Sequence, residues 1–301
     1  MVARIINGEQ LASEIQTQLL PQIADLRAAG RPPNLVVLMT AENEAGAAYA
    51  RNQRRACEDV GIGYELRRLP SQANESQISN AIAQLNENDA VTGVMLQLPL
   101  PAGIKSTHMQ NRIDPYKDVE GISPANIGLV VYGDPIIAPC TALGVVALID
   151  STRLALQGAE VVIVGHSEIV GKPVQLLLLN HNATVTTCHV FTRDLAAHTR
   201  HADVLVVAAG KPGLIGADHV KDGAVVIDVG INWVKQLGKD GQPQRDPDGK
   251  VIKRICGDVQ YAQVCQKAGW ITPVPGGVGP MTVAMLLRNT VEAARKSLQR
   301  G

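Results

Sequence analysis

The chain has 301 residues, 46% of them hydrophobic and 19% charged, with 28 Lys+Arg balanced by 28 Asp+Glu. That composition supports fully packed cores in two domains of ordinary size, and it leaves no net field to recruit nucleic acid or an anionic membrane, so a small-molecule partner is expected. Aromatic residues, at 3%, are too few for a base-stacking platform. The five cysteines, Cys57, Cys140, Cys188, Cys256 and Cys265, have no Cys-x-x-Cys spacing, which argues against a disulfide framework or a zinc site and for reduced thiols in a cytoplasmic protein. The N-terminal Met-Val-Ala-Arg-Ile-Ile-Asn-Gly has no apolar h-region and no run approaches 18 apolar residues, so neither export nor a membrane span is expected.

In chain order, periodicity predicts a helix over 9–29, a strand over 35–39, a helix over 44–60, a strand over 64–69, a helix over 75–86 and a strand over 93–98. Helices alternating with strands at this spacing imply parallel βαβ units. Pro21 is expected to kink or divide the first helix. A second series has β-branched strands over 160–164, 183–187, 204–208 and 224–229, suited to burial on both faces. Between the series lies Asp134-Pro-Ile-Ile-Ala-Pro139-Cys-Thr141, whose prolines place a junction just before a helix near Thr141. A last amphipathic helix over 283–298 has no strand to serve and is expected to pack back on the first domain. The expected fold is α/β: residues 1–138 with 283–301 form one domain and 139–282 a Rossmann-type domain, with a cleft between them. The polar run 238–250 reads as a solvated loop or hairpin tip.

Residues 271–282, Ile-Thr-Pro-Val-Pro-Gly-Gly-Val-Gly-Pro-Met-Thr, hold three prolines and three glycines, more than an ordinary strand-to-helix turn needs. Proline fixes φ and removes a donor while glycine admits close approach, which suits a rigid wall against a flat ligand. After Val161-Val-Ile-Val164 comes Gly165-His-Ser-Glu-Ile-Val-Gly171-Lys-Pro173 and a Leu-rich helix. Strand, glycine turn and helix make a nucleotide-phosphate site, although Ser167 replaces the second glycine of Gly-x-Gly-x-x-Gly. The next strand ends Thr187-Cys-His-Val190 with no acid to receive ribose hydroxyls. His166, His181 and His189 lack carboxylate or cysteine neighbours at ligand spacing, so no metal is expected.

Taken together, the motifs Val94-x-Leu-Gln97-Leu-Pro-Leu-Pro101, Lys117-Asp-Val-Glu-Gly121, Pro139-Cys-Thr141, Gly165-x-Ser-x-Ile-Val-Gly171-x-Pro173, Val226-Ile-Asp-Val-Gly-Ile-Asn232, Gly257-Asp-Val259 and Thr272-Pro-Val-Pro-Gly-Gly-Val-Gly-Pro-Met-Thr282 resemble the methylenetetrahydrofolate dehydrogenase/cyclohydrolase family almost end to end. The resemblance implies oxidation of 5,10-methylenetetrahydrofolate to the methenyl form with NADP+ or NAD+, followed in bifunctional members by hydrolysis to 10-formyltetrahydrofolate, and a homodimer. It implies that Tyr49, Gln53, Gln97 and Glu120 are catalytic, with Tyr49, Gln97, Glu120, Pro275, Gly276 and Gly277 against substrate. Gly165, His166, Ser167, Ile169, Val170, Gly171, Val190 and Ile231 are then expected to bind the cofactor.

Against the family pattern, the lysine four residues after the tyrosine is Gln53, an amide with no proton to give or take. Arg51, Arg54 and Arg55 lie on other helix faces and read as solvated charges. The family aspartate that receives the pterin's amino-pyrimidinone edge is Glu120, one methylene longer, and the family serine three residues before the tyrosine is Gly46. Where NADP-using relatives often have arginine and a polar or basic residue, this chain has His166 and Val190, which leaves His166 or Arg193 to meet a 2′-phosphate. The expectation is a dehydrogenase whose cyclohydrolase step is weak or absent. The alternatives are a relative acting on another imine or iminium compound, a silent ligand-binding homologue, and the conventional bifunctional enzyme.

Overall fold

Apolar β-branched runs build two separate parallel sheets in the computed structural model, which describes residues 2–40, 44–238 and 242–299. The elements of the first half are β1 (Arg4–Ile5), α1 (Gly8–Ala28), β2 (Asn34–Met39), α2 (Glu44–Val60), β3 (Gly63–Arg68), α3 (Glu75–Glu87), β4 (Gly93–Gln97), α4 (Ser106–Gln110), α5 (Pro124–Tyr132) and α6 (Cys140–Asp150). The second half contributes β5 (Glu160–Val164), α7 (Gly171–Asn180), β6 (Thr184–Cys188), α8 (Leu195–Thr199), β7 (Val204–Val207) and β8 (Val225–Asp228). It continues with β9 (Asn232–Lys235), β10 (Lys253–Cys256), α9 (Tyr261–Val264), β11 (Trp270–Ile271) and α10 (Val278–Leu298). The chain divides into two compact units, one of Met1–Leu11 with Gly144–Met281, the other of Ala12–Leu143 with Thr282–Gly301.

In the second of these units the sheet order is β3-β2-β4, all parallel. The central strand β2 is Leu-Val-Val-Leu-Met over its last five residues, all buried, as a strand covered on both faces must be. Ile78, Ile82 and Leu85 of α3, spaced for one helix face, close the core against Val36, Leu38, Val94 and Leu96. The register pairs Met39 with Gln97, which places Gln97 at the carboxyl edge of the sheet. A bridge between Val94 and Asp118 sets the 117–121 turn beside β4. The C-terminal helix packs on this unit as expected: Asn289 of α10 donates to the carbonyls of Val119 and Ala138, each at 2.9 Å.

The other unit carries a six-stranded parallel sheet in the order β1-β11-β8-β7-β5-β6. Its first strand departs from the expected division, which assigned the N-terminal residues to the other domain. Arg4 and Ile5 pair with Trp270 and Ile271, because the short β11 leaves an open edge that Ile6 meets by donating to Ile271 O at 2.9 Å; Gly8 then donates to Gly276 O at 3.0 Å in the following loop.

Two further expectations are corrected, those on Pro21 and on the start of α10, and the hairpin reading of 238–250 holds. Pro21 does not divide α1, which is one helix over 21 residues. The residue sits on the exposed face, so the Thr17 carbonyl that loses its intrahelical donor is placed toward water. The polar 238–250 run is the end of a hairpin: β9 and β10 pair antiparallel, extended by bridges Leu237–Pro243 and Arg245–Val251, while residues 239–241 lie outside the described residues. Helix α10 starts at Val278, five residues early, since Pro280 in a first turn costs no hydrogen bond. Among the described residues no helix is long and apolar enough to cross a membrane.

Candidate active site

Tyr49 and Gln53 are one turn apart on α2, and the helix turns Gln53 fully into the protein, at 0% exposure. Its Nε2 donates to Met95 Sδ on β4 at 3.0 Å, and its amide hydrogen-bonds the Tyr49 phenol. Gln97, at the end of β4, donates to the Leu98 carbonyl at 3.1 Å, and Glu120 accepts the Leu96 main-chain N–H. Each of these three side chains keeps one oxygen buried and without a hydrogen-bond partner: Gln53 Oε1, Gln97 Oε1 and Glu120 Oε2. An orphaned buried polar atom costs about 1–3 kcal/mol, so three drawn from neighbouring elements mark a place suited to a ligand with matching polar groups.

Burial first, and then the adjoining Asp118 carboxylate, push the Glu120 pKa from 4.5 to about 8, against which the Leu96 N–H works. Glu120 therefore holds its proton at neutral pH. Burial, with Cys140 and Glu120 nearby, drives the Tyr49 phenol well above its ordinary range. Asp118 organises the turn that presents Glu120: its carboxylate accepts from Gly121 N (3.1 Å), Ser123 N (2.7 Å) and Asn126 Nδ2 (3.0 Å). Asp118, Asn126 and Asn289 are positioning residues that the sequence reading missed, although Asp118 stood inside the Lys117–Gly121 motif. Gly46 is buried one turn before Tyr49. Arg51, Arg54 and Arg55 are exposed as expected, Arg54 lying over the Tyr64 ring at 5.3 Å and Arg55 3.9 Å from Asp59.

In the other unit, the carboxyl ends of β5, β6 and β7 surround a cavity of about 620 Å³. It brings together Gly165, His166, Ser167 and Val190, with Thr192, Leu195, Lys211 and Leu214, which the sequence reading missed. Ile169, Val170 and Gly171 do not line it; they form the turn into α7, with Ile169 exposed. Gly165 has φ 123°, and a Cβ there would strike the Ala208 carbonyl, while one at Gly171 would strike the Gly165 carbonyl. Strand, turn and helix thus meet at main-chain contact, the arrangement that lets a phosphate approach amides. The cavity fits a dinucleotide in three ways: Leu195, Leu214 and Val190 offer apolar walls to a flat ring, α7 has no side-chain cap, and its one lining carboxylate, Glu168, is tied to Lys172 at 2.9 Å. Among the described residues no group of three or more His, Cys, Asp and Glu side chains is placed to hold a metal ion.

Ile231, Pro275, Gly276 and Gly277 share a smaller cavity of about 160 Å³ in the same unit, walled also by Glu9, Gly230 and Pro273. Two buried aspartates, also missed, hold its loops. Asp228 accepts from the main-chain N–H of Gly230, Asp258 and Val259, each at 3.0 Å, and burial pushes its pKa from 3.8 to about 6 despite those donors. Asp258 accepts from Ala209 N and Gly210 N at 2.8 Å and from Asn232 Nδ2 at 2.7 Å. Both lay in motifs read from the sequence, Val226–Asn232 and Gly257–Val259, but only folding shows that their carboxylates face inward.

Residues 6–120 match the family model for the tetrahydrofolate dehydrogenase/cyclohydrolase catalytic domain, and residues 139–298 that for its NAD(P)-binding domain. The chain is 48% identical over 297 residues to bifunctional protein FolD 2 of Bordetella pertussis, covering 99% of each. It is 46% identical over 296 residues to bifunctional protein FolD of Moorella thermoacetica, covering 98% of this chain and all of that one. The structure superposes with a TM-score of 0.90, at 36% identity and 99% coverage of both chains, on the Trypanosoma brucei N5,N10-methylenetetrahydrofolate dehydrogenase-cyclohydrolase (FolD) complexed with NADP cofactor and an inhibitor. With both family models matched and relatives aligned end to end, the chain belongs to the tetrahydrofolate dehydrogenase/cyclohydrolase family and carries that family's NAD(P)-binding domain.

Proposed function

We propose that this chain oxidises 5,10-methylenetetrahydrofolate to the methenyl form with NAD(P)+ and hydrolyses that product slowly or not at all. The observation that carries the reading is the set of orphaned oxygens, Gln53 Oε1, Gln97 Oε1 and Glu120 Oε2, with Gln53 and Glu120 beside Tyr49. Tyr49 supplies the face on which a pterin stacks. Glu120, once it releases its proton, accepts the two N–H groups of an amino-pyrimidinone edge. Gln97 holds the one-carbon bridge in line.

Oxidation breaks one C–H bond of the bridging methylene and sends the electron pair away as hydride, leaving a methenyl cation. The bound dinucleotide supplies the hydride acceptor. This step asks the protein chiefly for position. A neutral amide at position 53 also spares the developing cation the repulsion that an ammonium there would exert. Hydrolysis is different: water must lose protons as it adds to the cation, and a ring C–N bond must then break with a proton delivered to nitrogen. Gln53 can neither take nor give that proton, and general acid–base help is worth roughly 10²–10⁴-fold.

The test is to supply the purified protein with 5,10-methylenetetrahydrofolate and each cofactor, and to repeat it with Glu120→Ala. Reduced cofactor should form with the wild type and fall at least about 100-fold in kcat/KM in the variant, the scale of loss for a misplaced substrate. Failure of the wild type to reduce either cofactor would remove the folate reading and leave another imine substrate or a binding role.

A further inference from the structure

We infer that Met95 is a positioning residue for the oxidation: its sulfur anchors the Gln53 amide through nitrogen, so that the Gln53 and Gln97 carbonyl oxygens meet the positive charge left on the bridging carbon as hydride departs. The inference rests on the folate reading above and gives those two oxygens a task within it. Met95 is the unassigned place in the Val94-x-Leu-Gln97 motif.

Strand alternation sets the geometry. Val94 and Leu96 of β4 pack into the core with α3, so Met95 and Gln97 stand on the opposite face, about 7 Å apart along the strand. Gln53 of α2 reaches that face, and its Nε2 donates to Met95 Sδ at 3.0 Å. A primary amide can turn over to exchange its oxygen and nitrogen, and its neighbours decide which way it rests. A thioether sulfur carries no hydrogen, so only the NH2 end can bond to it. The second amide hydrogen serves the Tyr49 phenol, since among the described residues Oε1 has no partner. Gln97 is tied in the same way: its Nε2 donates at 3.1 Å to the Leu98 carbonyl, which likewise has no hydrogen to offer. Turning either amide over would set oxygen against sulfur or oxygen against oxygen. Both therefore keep Oε1 buried and unbonded.

Two buried carbonyl oxygens held this way suit a cation that has no N–H. The methenyl product is such a group. Its charge is spread over N5, the bridging carbon and N10, and the one hydrogen there is on carbon, a weak donor that the charge strengthens. The neutral methylene substrate gains less from the same oxygens. The amides thus favour the charged state over the neutral one, which is the condition for a contact to speed a step instead of only binding substrate. Without the sulfur, the Gln53 nitrogen loses its acceptor and the amide is free to turn its NH2 end to the cation.

The test is titration of the purified protein, free of dinucleotide, with methenyltetrahydrofolate and with 5,10-methylenetetrahydrofolate, two bridged folates that differ by one hydride. The ratio of their dissociation constants reads the preference for charge. One net hydrogen-bond contact predicts that wild type favours the cation by at least about fivefold. Met95→Leu and Gln53→Met should each remove most of that preference, and should lower kcat for cofactor reduction more than they raise KM. The two losses should not add: in the Gln53→Met background, Met95→Leu should leave the ratio within about twofold, because the amide it positions is gone. The wild-type ratio remains a test even where a variant fails to fold. Equal binding of the two folates by wild type, a Met95→Leu ratio equal to wild type, or the same Met95→Leu loss in both backgrounds overturns the inference while the folate reading stands. Failure of wild type to bind either folate removes both.

Discussion

Replacing Gln53 with lysine introduces the group whose absence, in the proposed function, separates the two reactions, and the structure fixes the surroundings of position 53. Position 53 has no exposure, so an ammonium there loses its water. Through Tyr49 it lies near Glu120, which burial keeps protonated with a pKa of about 8. At an effective dielectric constant of about 20, a charge pair at a separation of roughly 4–6 Å is worth on the order of 3 kcal/mol. Such a pair between the introduced ammonium and Glu120 lowers the Glu120 pKa and favours its ionised form, while the introduced amine is lowered by burial and raised by Glu120. An amine tuned in this way can both give and take protons. Gln53→Lys should therefore accelerate hydrolysis of methenyltetrahydrofolate by roughly 10²–10⁴-fold and reduce dehydrogenase turnover only modestly. The assay is the decay of added methenyltetrahydrofolate, with buffer-catalysed decay subtracted, in wild type and variant side by side. A wild type that already hydrolyses as fast as a folded Gln53→Lys variant would refute the reasoning, because the proton would then be managed elsewhere.

Two further outcomes follow from the buried carboxylates. Because the folded pKa of Glu120 lies above its ordinary 4.5, its contribution to stability is complete below that value and is lost as pH rises towards 8, by up to about 1.4 kcal/mol per pH unit. Urea unfolding at a series of pH values should show that slope in the wild type and a flatter one in Glu120→Gln; equal slopes would mean that the carboxyl is solvated. Asp228→Asn puts an amide where three main-chain donors converge and should cost about 2–4 kcal/mol in denaturant unfolding. A loss under about 1 kcal/mol would show that the loops after β8 and before α9 do not depend on that carboxylate.

The sheets were legible because their strands are runs of Val, Ile and Leu between glycine turns: Glu160–Val164 and the helix Glu44–Val60 form over the residues that periodicity indicates. The N-terminal strand was not, since Arg4 and Ile5 become a strand only when β11, near the other end of the sequence, offers its edge. Periodicity also missed β9 and β10, whose short segments of mixed polarity are specified by each other rather than by a core. At the site, the Tyr49–Gln53 pair came from the family resemblance, and helical spacing put both side chains on one face. Asp118, Asp228 and Asp258 did not, because an aspartate within a few residues of a glycine reads equally as a solvated turn, and only the converging N–H groups show that it faces inward. Thr192 and Lys211 belong to loops whose meeting at one cavity depends on the β7-β5-β6 order.

The most direct test follows product partition: the wild-type protein is given 5,10-methylenetetrahydrofolate with its better cofactor, and methenyl- and 10-formyltetrahydrofolate are measured separately against reduced cofactor in a buffer that hydrolyses methenyl slowly. With Gln53 in place of a proton carrier, methenyltetrahydrofolate should accumulate one for one with reduced cofactor, and added protein should not hasten its decay. Formation of 10-formyltetrahydrofolate in step with reduced cofactor, without methenyl accumulating, would contradict the central claim and make this chain a conventional bifunctional member of its family.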